Sequence, residues 1–292
     1  MLFINRNKPV YSVVRDMGLG LTSLIVLVFV LRWDMASIYV RWLLIPCFCM
    51  AASIAYRKNA RRLIQEAFGL SWQRALKSIV FVILIPAITF LAFLMRKTDD
   101  VASFALNWPL EPGVYYVVQG GTTEWLNHHN SVAAQRYALD ITQLGGFGRH
   151  ATAIMPSADD AYFINGTQIV SPCEGEVVAL EKKWGQLDTS SSKRAALAGN
   201  YVAVYCKGHT VLLAHLSKVE DLMIGESVHI GAPLGRVGNT GNSTEPHLHI
   251  HAVLGDVRDY EALMFMEVGV PISFDGRSLR RNDIFKLPKV NK

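Results

Sequence analysis

Two histidines one residue apart are the part of this chain whose chemistry can be stated first. In His247-Leu248-His249 the two histidines project from the same face if the segment is a strand, so both imidazoles can address one ion. Neutral imidazole is the commonest metal ligand in proteins, and zinc accepts both nitrogen and carboxylate oxygen. On its own, such a pair is equally consistent with two surface histidines.

Two further segments carry residues of related chemistry. His215 ends the apolar run Leu212–Ala214, where a half-buried, hydrogen-bonded histidine is the ordinary interpretation. Asp140 lies inside the apolar segment Tyr137–Ile141, and a carboxylate there is costly unless a cation or a metal ion compensates it. A role as metal ligand removes that difficulty, although an exposed strand end would also do so.

The order of these features along the chain carries more information than any one of them. A histidine precedes the aspartate, His-Leu-Ser follows, and Gly-Asn-Thr-Gly comes before His-Leu-His. This order resembles the lysostaphin-type, LytM-like family of zinc endopeptidases over about Val114 to Val253. The resemblance implies three ligands of a single zinc ion: His129, Asp140 and His249. It also implies two catalytic histidines: His215 and His247.

The sequence departs from the family pattern in two places. The family usually separates its first ligand histidine from the aspartate by three residues, whereas residues 130–139 intervene here. We therefore take His129 as the ligand and keep His128 as its alternative. His251 continues the alternation on the face of His247, and we expect it to pack or support the site rather than to be a fourth ligand. Which of the two catalytic histidines is the base is left open.

Short apolar runs divided by Gly, Pro and Asn follow Asn107 and predict a mostly β domain over residues 107–275. Residues 184–199 are predicted to form a long exposed loop, and the basic residues 276–292 a solvated tail. The predicted strands are Val114–Val118, Tyr137–Ile141, Gly175–Leu180, Tyr201–Tyr205, Thr210–Ala214 and Leu248–Val253.

The first 97 residues have the composition of a membrane region. Three nearly uncharged segments are each near the ~20 residues that cross a bilayer as a helix. They predict an α-helical anchor of three transmembrane helices at about 17–33, 38–56 and 78–95. Cations before the first span and between the second and third place both of those segments in the cytoplasm by the positive-inside rule. The β domain is then expected outside the cytoplasmic membrane.

Charge and cysteine content limit the partners of that domain. Residues 1–97 carry 13 Lys and Arg against 3 Asp and Glu, whereas residues 98–292 carry 16 against 21. The mildly acidic second part excludes nucleic acid as an expected partner, because phosphate binding needs a basic face. Cys173 and Cys206 are expected outside, where a disulfide is permitted, but sequence alone leaves that pairing open.

These observations predict a membrane-anchored zinc endopeptidase that hydrolyses peptide bonds of peptidoglycan at the outer face of the membrane. The alternative is a catalytically silent LytM-like module that binds or regulates other cell-wall hydrolases, as some relatives do. A candidate for each of the five site positions is present, which favours catalysis. The sequence does not predict which peptide bond is cut.

Overall fold

The chain divides into two compact units in the computed structural model. One unit comprises Met1–Trp33 and Ser37–Lys97, and the other comprises Asp34–Ala36 and Thr98–Lys292. The structure describes residues 10–67, 73, 76–77, 80–94, 103–184 and 197–288.

The first unit is helical. Two of its segments, Ser12–Val30 and Val40–Arg61, are long and apolar enough to cross a membrane, whereas the third apolar stretch, Val80–Phe90, is shorter. The described residues therefore contain two candidate spans rather than the three predicted, and residues 78, 79 and 95 of the third lie outside the described part. The helices are α1 (Val10–Val30), α2 (Val40–Ala67), a π-helical turn (Val80–Leu84) and α3 (Ile85–Leu94).

The second unit is mostly β, as the sequence predicts, and each predicted strand is present with its ends shifted by a few residues. The strands are β1 (Phe104–Leu106), β2 (Gly113–Gln119), β3 (Leu139–Gln143), β4 (Gln168–Val170), β5 (Gly175–Glu181), β6 (Asn200–Cys206), β7 (His209–Val219), β8 (Ser227–Val228), β9 (Pro233–Val237), β10 (Leu248–Leu254), β11 (Gly269–Val270), β12 (Ile272–Phe274) and β13 (Ile284–Leu287).

One large antiparallel sheet dominates this unit. Its strands follow the order β13-β2-β3-β10-β7-β6-β5-β8, while β9 pairs with both β4 and β7, and β11 pairs with β10. A separate pair, β1 and β12, is parallel. Strand β10 therefore lies between β3 and β7, so residues far apart in the sequence meet across adjacent strands at the centre of the sheet.

Each face of the sheet has its own apolar cluster, because side chains alternate along the strands. Leu213, Leu248 and Ile250 belong to the larger cluster, whereas Leu212 and Ala214 belong to the smaller one on the opposite face. The alternating histidines of β10 therefore face the side of the smaller cluster. This side carries the candidate site.

The predicted solvated tail is corrected by the structure. Strand β13 pairs with β2, and Phe285 is buried and stacks on Trp108 with ring centroids 4.1 Å apart. The strand has only four residues, one of them Lys286, so the sequence does not show a clear apolar pattern there. The mostly β domain also begins before residue 107, because β1 pairs with β12. Most of the predicted exposed loop, residues 185–196, lies outside the described part of the chain.

Cys173 and Cys206 form a disulfide in the second unit, with Cα atoms 6.1 Å apart. The bond joins the segment before β5 to the end of β6. The pairing that sequence left open is therefore present. Cys47 and Cys49, in α2, are free.

Candidate metal centre

The candidate site begins with the register of β3, β10 and β7. His249 is the register partner of Asp140 on one side and of Ala214 on the other. Register partners share a face of the sheet, so their side chains adjoin. The Nδ1 atom of His249 lies 2.9 Å from Oδ1 of Asp140. Strand pairing alone therefore brings together two residues that are 109 positions apart.

Asp140 is the centre of the arrangement. Besides His249, its carboxylate lies 2.9 Å from Nε2 of His129 and 3.7 Å from Nε2 of His247. Burial alone would raise the pKa of Asp140, but the imidazoles of His129 and His247, and the close polar contacts with His129 and His249, hold it well below its usual value. The carboxylate is therefore ionised and available as a ligand.

His129 lies on a single 3₁₀ turn, His128–Ser131, and not on a strand. Asn127 caps this turn, since its side-chain oxygen accepts a hydrogen bond from His129 N at 3.2 Å. The side-chain nitrogen of Asn127 donates to the carbonyl of Ala138 at 3.0 Å, just before β3 begins. This fully buried amide thus fixes the turn against the strand that carries Asp140. The unusually long spacing between His129 and Asp140 is closed by a capped turn.

His128 remains near the site. One atom each from His128, His129 and Asp140 lie within 4.8 Å of one another, so these three could also hold an ion. His128 is exposed, however, whereas both side-chain oxygens of Asp140 lie within 3.0 Å of His129 Nε2. The geometry makes His129 the closer partner of the carboxylate.

His215 reaches the site through an irregularity of β7. Leu213 and Leu216 are three residues apart, yet both belong to the larger apolar cluster, so the alternation is broken between them. His215 has a φ of 65°, in the left-handed region that few residues other than glycine adopt. The extra residue leaves both Ala214 and His215 on the side of the site. A regular strand would have turned His215 into the opposite core.

The two predicted catalytic histidines share one feature of orientation. Nδ1 of His215 is 2.8 Å from the carbonyl oxygen of Thr240, and Nδ1 of His247 is 2.8 Å from that of Glu245. A carbonyl only accepts, so each Nδ1 carries a proton, and Nε2 is the ring nitrogen that this contact leaves available. Burial, and then the nearby His247, lower the pKa of His215 to about 3. The ring centroids of His215 and His247 lie 4.7 Å apart.

The Gly-Asn-Thr-Gly motif holds this arrangement and does not itself supply site side chains. Thr240 Oγ1 donates to Leu216 O at 2.9 Å and accepts from Asn200 N at 2.9 Å, which fixes the carbonyl that orients His215. A Cβ added at Gly238 would lie 2.4 Å from the backbone nitrogen of Ser217. The motif is therefore a close backbone contact with the bulged part of β7.

Sequence reasoning missed Asn127 and Gln135, which support the site. Asn127 stands directly before His128, where a helix cap is common, and this signal could have identified it. Gln135 is buried and lies in an irregular segment, and nothing in its sequence context distinguishes it.

The donor set fits zinc. Two imidazole nitrogens and one carboxylate are a combination found in hydrolytic zinc sites, which keep a further position open. His129 and His247 have 13% and 14% of their side-chain surface exposed, whereas His249 has 3%. The open side of the site is thus bordered by His129 and His247, with His249 behind them.

Part of the second unit matches a known peptidase family. The sequence profile of Peptidase family M23 matches residues 160–258, about a third of the chain. This segment contains His215, His247 and His249, whereas His129 and Asp140 precede it. No curated protein matches the chain significantly.

Several solved structures are similar to part of the chain. A candidate peptidase M23 from Pseudomonas aeruginosa is 21% identical, with 61% of this chain and 60% of that chain covered and a TM-score of 0.32. The catalytic domain of lysostaphin from Staphylococcus simulans is 23% identical, with 34% and 73% covered and a TM-score of 0.23. A zinc-containing peptidase from Vibrio cholerae is 19% identical, with 57% and 39% covered and a TM-score of 0.32.

The chain thus spans only part of the P. aeruginosa and V. cholerae proteins. The family match, in contrast, covers three of the five predicted site residues: His215, His247 and His249. Residues 160–258 of the mostly β unit thus match Peptidase family M23.

Proposed function

We propose that this protein is a zinc-dependent endopeptidase that hydrolyses peptide bonds of peptidoglycan at the outer face of the cytoplasmic membrane. The observation that carries the proposal is the convergence of His129, Asp140 and His249, with atoms 2.9–3.0 Å apart, beside the rings of His215 and His247, which are each oriented by a backbone carbonyl. The match of residues 160–258 to Peptidase family M23 supports peptide hydrolysis as the reaction. A silent module would not need two further histidines oriented in this way.

Three features support a location outside the cytoplasm. The apolar helices Ser12–Val30 and Val40–Arg61 have the length of membrane spans, and we take the shorter apolar stretch Val80–Phe90 as the core of the third crossing that an exterior second unit requires. The charge of the first 97 residues, 13 Lys and Arg against 3 Asp and Glu, suits the cytoplasmic side of those helices. The disulfide Cys173–Cys206 is stable in an oxidising compartment and uncommon in the cytoplasm.

In the proposed mechanism, the protein holds the ion with Nε2 of His129, the carboxylate of Asp140 and Nδ1 of His249. When bound, zinc polarises a peptide carbonyl and lowers the pKa of an associated water toward ~7. The residues of the chain then move protons. His247 borders the open side, and its Nε2 can take a proton from the attacking water and later give it to the leaving amine.

His215 is assigned a different part. Its ring is buried and its pKa lies at about 3, so it holds a proton less readily than an ordinary histidine. Its ring centroid lies 4.7 Å from that of His247, and we assign His215 to orienting the water or stabilising the proton that moves there. Loss of one group that stabilises the transition state typically costs on the order of 10² to 10³ in rate.

The proposal is tested with full-length protein purified in detergent, by measuring bound zinc and hydrolysis of purified peptidoglycan. His249→Ala is expected to lose both metal and activity, because it removes a ligand. His247→Ala is expected to keep most of the metal but to lose activity by at least about 10²-fold.

His229→Ala is the matched control, since His229 is exposed and stands outside the five predicted site positions. It should resemble the unmodified protein in both measurements. Full hydrolysis by either site variant, or zinc-loaded unmodified protein that releases no peptide fragment, contradicts the proposal. The second result would identify the silent, regulatory module instead.

A further inference from the structure

A short π-helical turn, Ala262–Met266, stands behind the site, beyond the segment that matches the family. Leu263 and Met264 within it are buried. Their consecutive backbone carbonyls each meet a side chain that in turn contacts one of the two imidazole ligands. The two contacts can be followed atom by atom.

The first series of contacts runs from the carbonyl of Leu263 through His251 to His249. Nε2 of His251 is 3.0 Å from the carbonyl oxygen of Leu263, which can only accept a hydrogen bond, so Nε2 carries the ring proton. His251 is buried, and a ring that carries one proton, on Nε2, presents Nδ1 only as an acceptor. Nε2 of His249 lies 2.9 Å from that atom and donates to it. In the neutral ring of His249 the remaining nitrogen, Nδ1, then has a lone pair to give to an ion held with Asp140.

The second series of contacts runs from the carbonyl of Met264 through Gln135 to His129. The side-chain nitrogen of Gln135 donates to Met264 O at 2.8 Å. The Gln135 side chain also hydrogen-bonds to His129 in the sense that raises the pKa of that histidine, which is the sense of an accepting oxygen. His129 therefore donates from the ring nitrogen that does not face Asp140, because Nε2 is the atom 2.9 Å from the carboxylate. In the neutral ring, Nε2 of His129 is then the nitrogen with a free lone pair.

We propose that the carbonyls of Leu263 and Met264, acting through His251 and Gln135, set the ring tautomers of both imidazole ligands so that their lone pairs converge beside Asp140. His251 and Gln135 are positioning residues in this inference, which rests on the proposed zinc site. Partners of this kind typically change metal affinity by about 10- to 100-fold. The inference explains why a second histidine of β10, His251, is buried beside the ligand without reaching the carboxylate.

Two substitutions at His251 separate tautomer control from packing. His251→Asn keeps an acceptor close to the position of Nδ1, whereas the amide of His251→Gln reaches Leu263 but carries its oxygen one bond further from the backbone than Nδ1. Both side chains are polar and of similar size. In full-length protein in detergent, zinc affinity measured by competition with a chromophoric chelator should stay within about threefold for His251→Asn. It should fall about 10- to 100-fold for His251→Gln.

Gln135→Met tests the second contact independently. Methionine has a similar shape but cannot accept from His129, so zinc affinity should again fall about 10- to 100-fold. Met266→Ala is the control, because Met266 lies on the same turn but is exposed and supplies neither carbonyl. It should bind zinc as the unmodified protein does. Melting temperatures of the zinc-free proteins identify any variant that does not fold, and the other position then decides.

Equal zinc affinity for His251→Asn and His251→Gln overturns the inference, and so does unmodified affinity in Gln135→Met. Either result leaves the proposed function intact if the unmodified protein binds zinc and cuts peptidoglycan. Failure of the unmodified protein to bind zinc would instead remove both the proposed function and this inference.

Discussion

Single residues determine the chemistry of the site through the placement of their ring protons. His215 and His247 each donate from Nδ1 to a backbone carbonyl, whereas His249 donates from Nε2 to His251. In the neutral ring of His249 this choice leaves the lone pair of Nδ1 beside the ionised carboxylate of Asp140. A site that gathers lone pairs and negative charge in this way is suited to a cation, and not to an anion or a neutral ligand.

The pH dependence of zinc binding follows from His129. Burial lowers the pKa of His129, but the adjacent Asp140 carboxylate and the hydrogen bonds to it outweigh burial, so the pKa lies above the usual value of 6.5. A raised pKa keeps the proton on His129 to higher pH, and zinc must displace it. Zinc affinity should therefore rise with pH up to that pKa and fall about tenfold for each pH unit below it.

Competition with a chelator of known pH dependence, between pH 5.5 and 8, measures this effect. His229→Ala should show the same slope, because the exposed His229 is outside the site. An affinity that does not change over this range would argue against a neutral His129 as ligand.

At the scale of elements, turns and irregular strands position the groups, and regular strands supply the frame. The turn His128–Ser131 holds His129 because buried Asn127 joins it to the backbone before β3. The broken alternation of β7 turns His215 toward the site. Both features use backbone geometry that is locally less favourable, and neighbouring hydrogen bonds compensate for it.

Replacement of Asn127 tests the importance of this capped turn. Asn127→Ala should lower the free energy of unfolding by roughly 1–3 kcal/mol, because buried carbonyls such as that of Ala138 lose their donor. Zinc affinity should fall as well, since the position of His129 becomes less fixed. Chemical denaturation of the zinc-free protein and chelator competition measure the two effects.

Asn130→Ala is the matched control for this substitution. Asn130 makes one exposed contact, with Arg136 O at 3.3 Å, so its loss should change stability by no more than about 0.5 kcal/mol. Equal effects of the two substitutions would show that the buried cap is not what holds the turn.

At the scale of the whole molecule, the second unit depends on strands from both ends of its sequence. β1 pairs with β12, and β13 forms the edge of the main sheet beside β2. Strand β2 in turn pairs with β3, which carries Asp140. The C-terminal segment is therefore part of the frame of the site.

Phe285→Ala is expected to destabilise the second unit by about 3–5 kcal/mol, because it removes a buried ring that stacks on Trp108. Lys286→Ala, at the exposed neighbouring position, should change stability by no more than about 0.5 kcal/mol. Thermal and chemical denaturation of the two variants measure the difference. A Phe285→Ala protein as stable as the control would support the solvated tail that composition alone suggested.

The sequence by itself indicated the candidate site residues and the mostly β class of their domain. Alternating apolar residues identify strands locally, and His-Leu-His places two imidazoles on one face whatever the neighbouring strands are. The order of histidines and aspartate was enough to indicate the family. The apolar composition of the first 97 residues predicted helices, although only two of the described ones have the length of a span.

Only the tertiary structure decided how those residues meet. The approach of His129 to Asp140 depends on Asn127, and the direction of His215 depends on a φ of 65°, neither of which has a periodic signature. The roles of His251 and Gln135 depend on two carbonyls of a turn that lies more than ten residues further along the chain. Such contacts are set by long-range strand register and backbone irregularity, whereas sequence patterns report local periodicity.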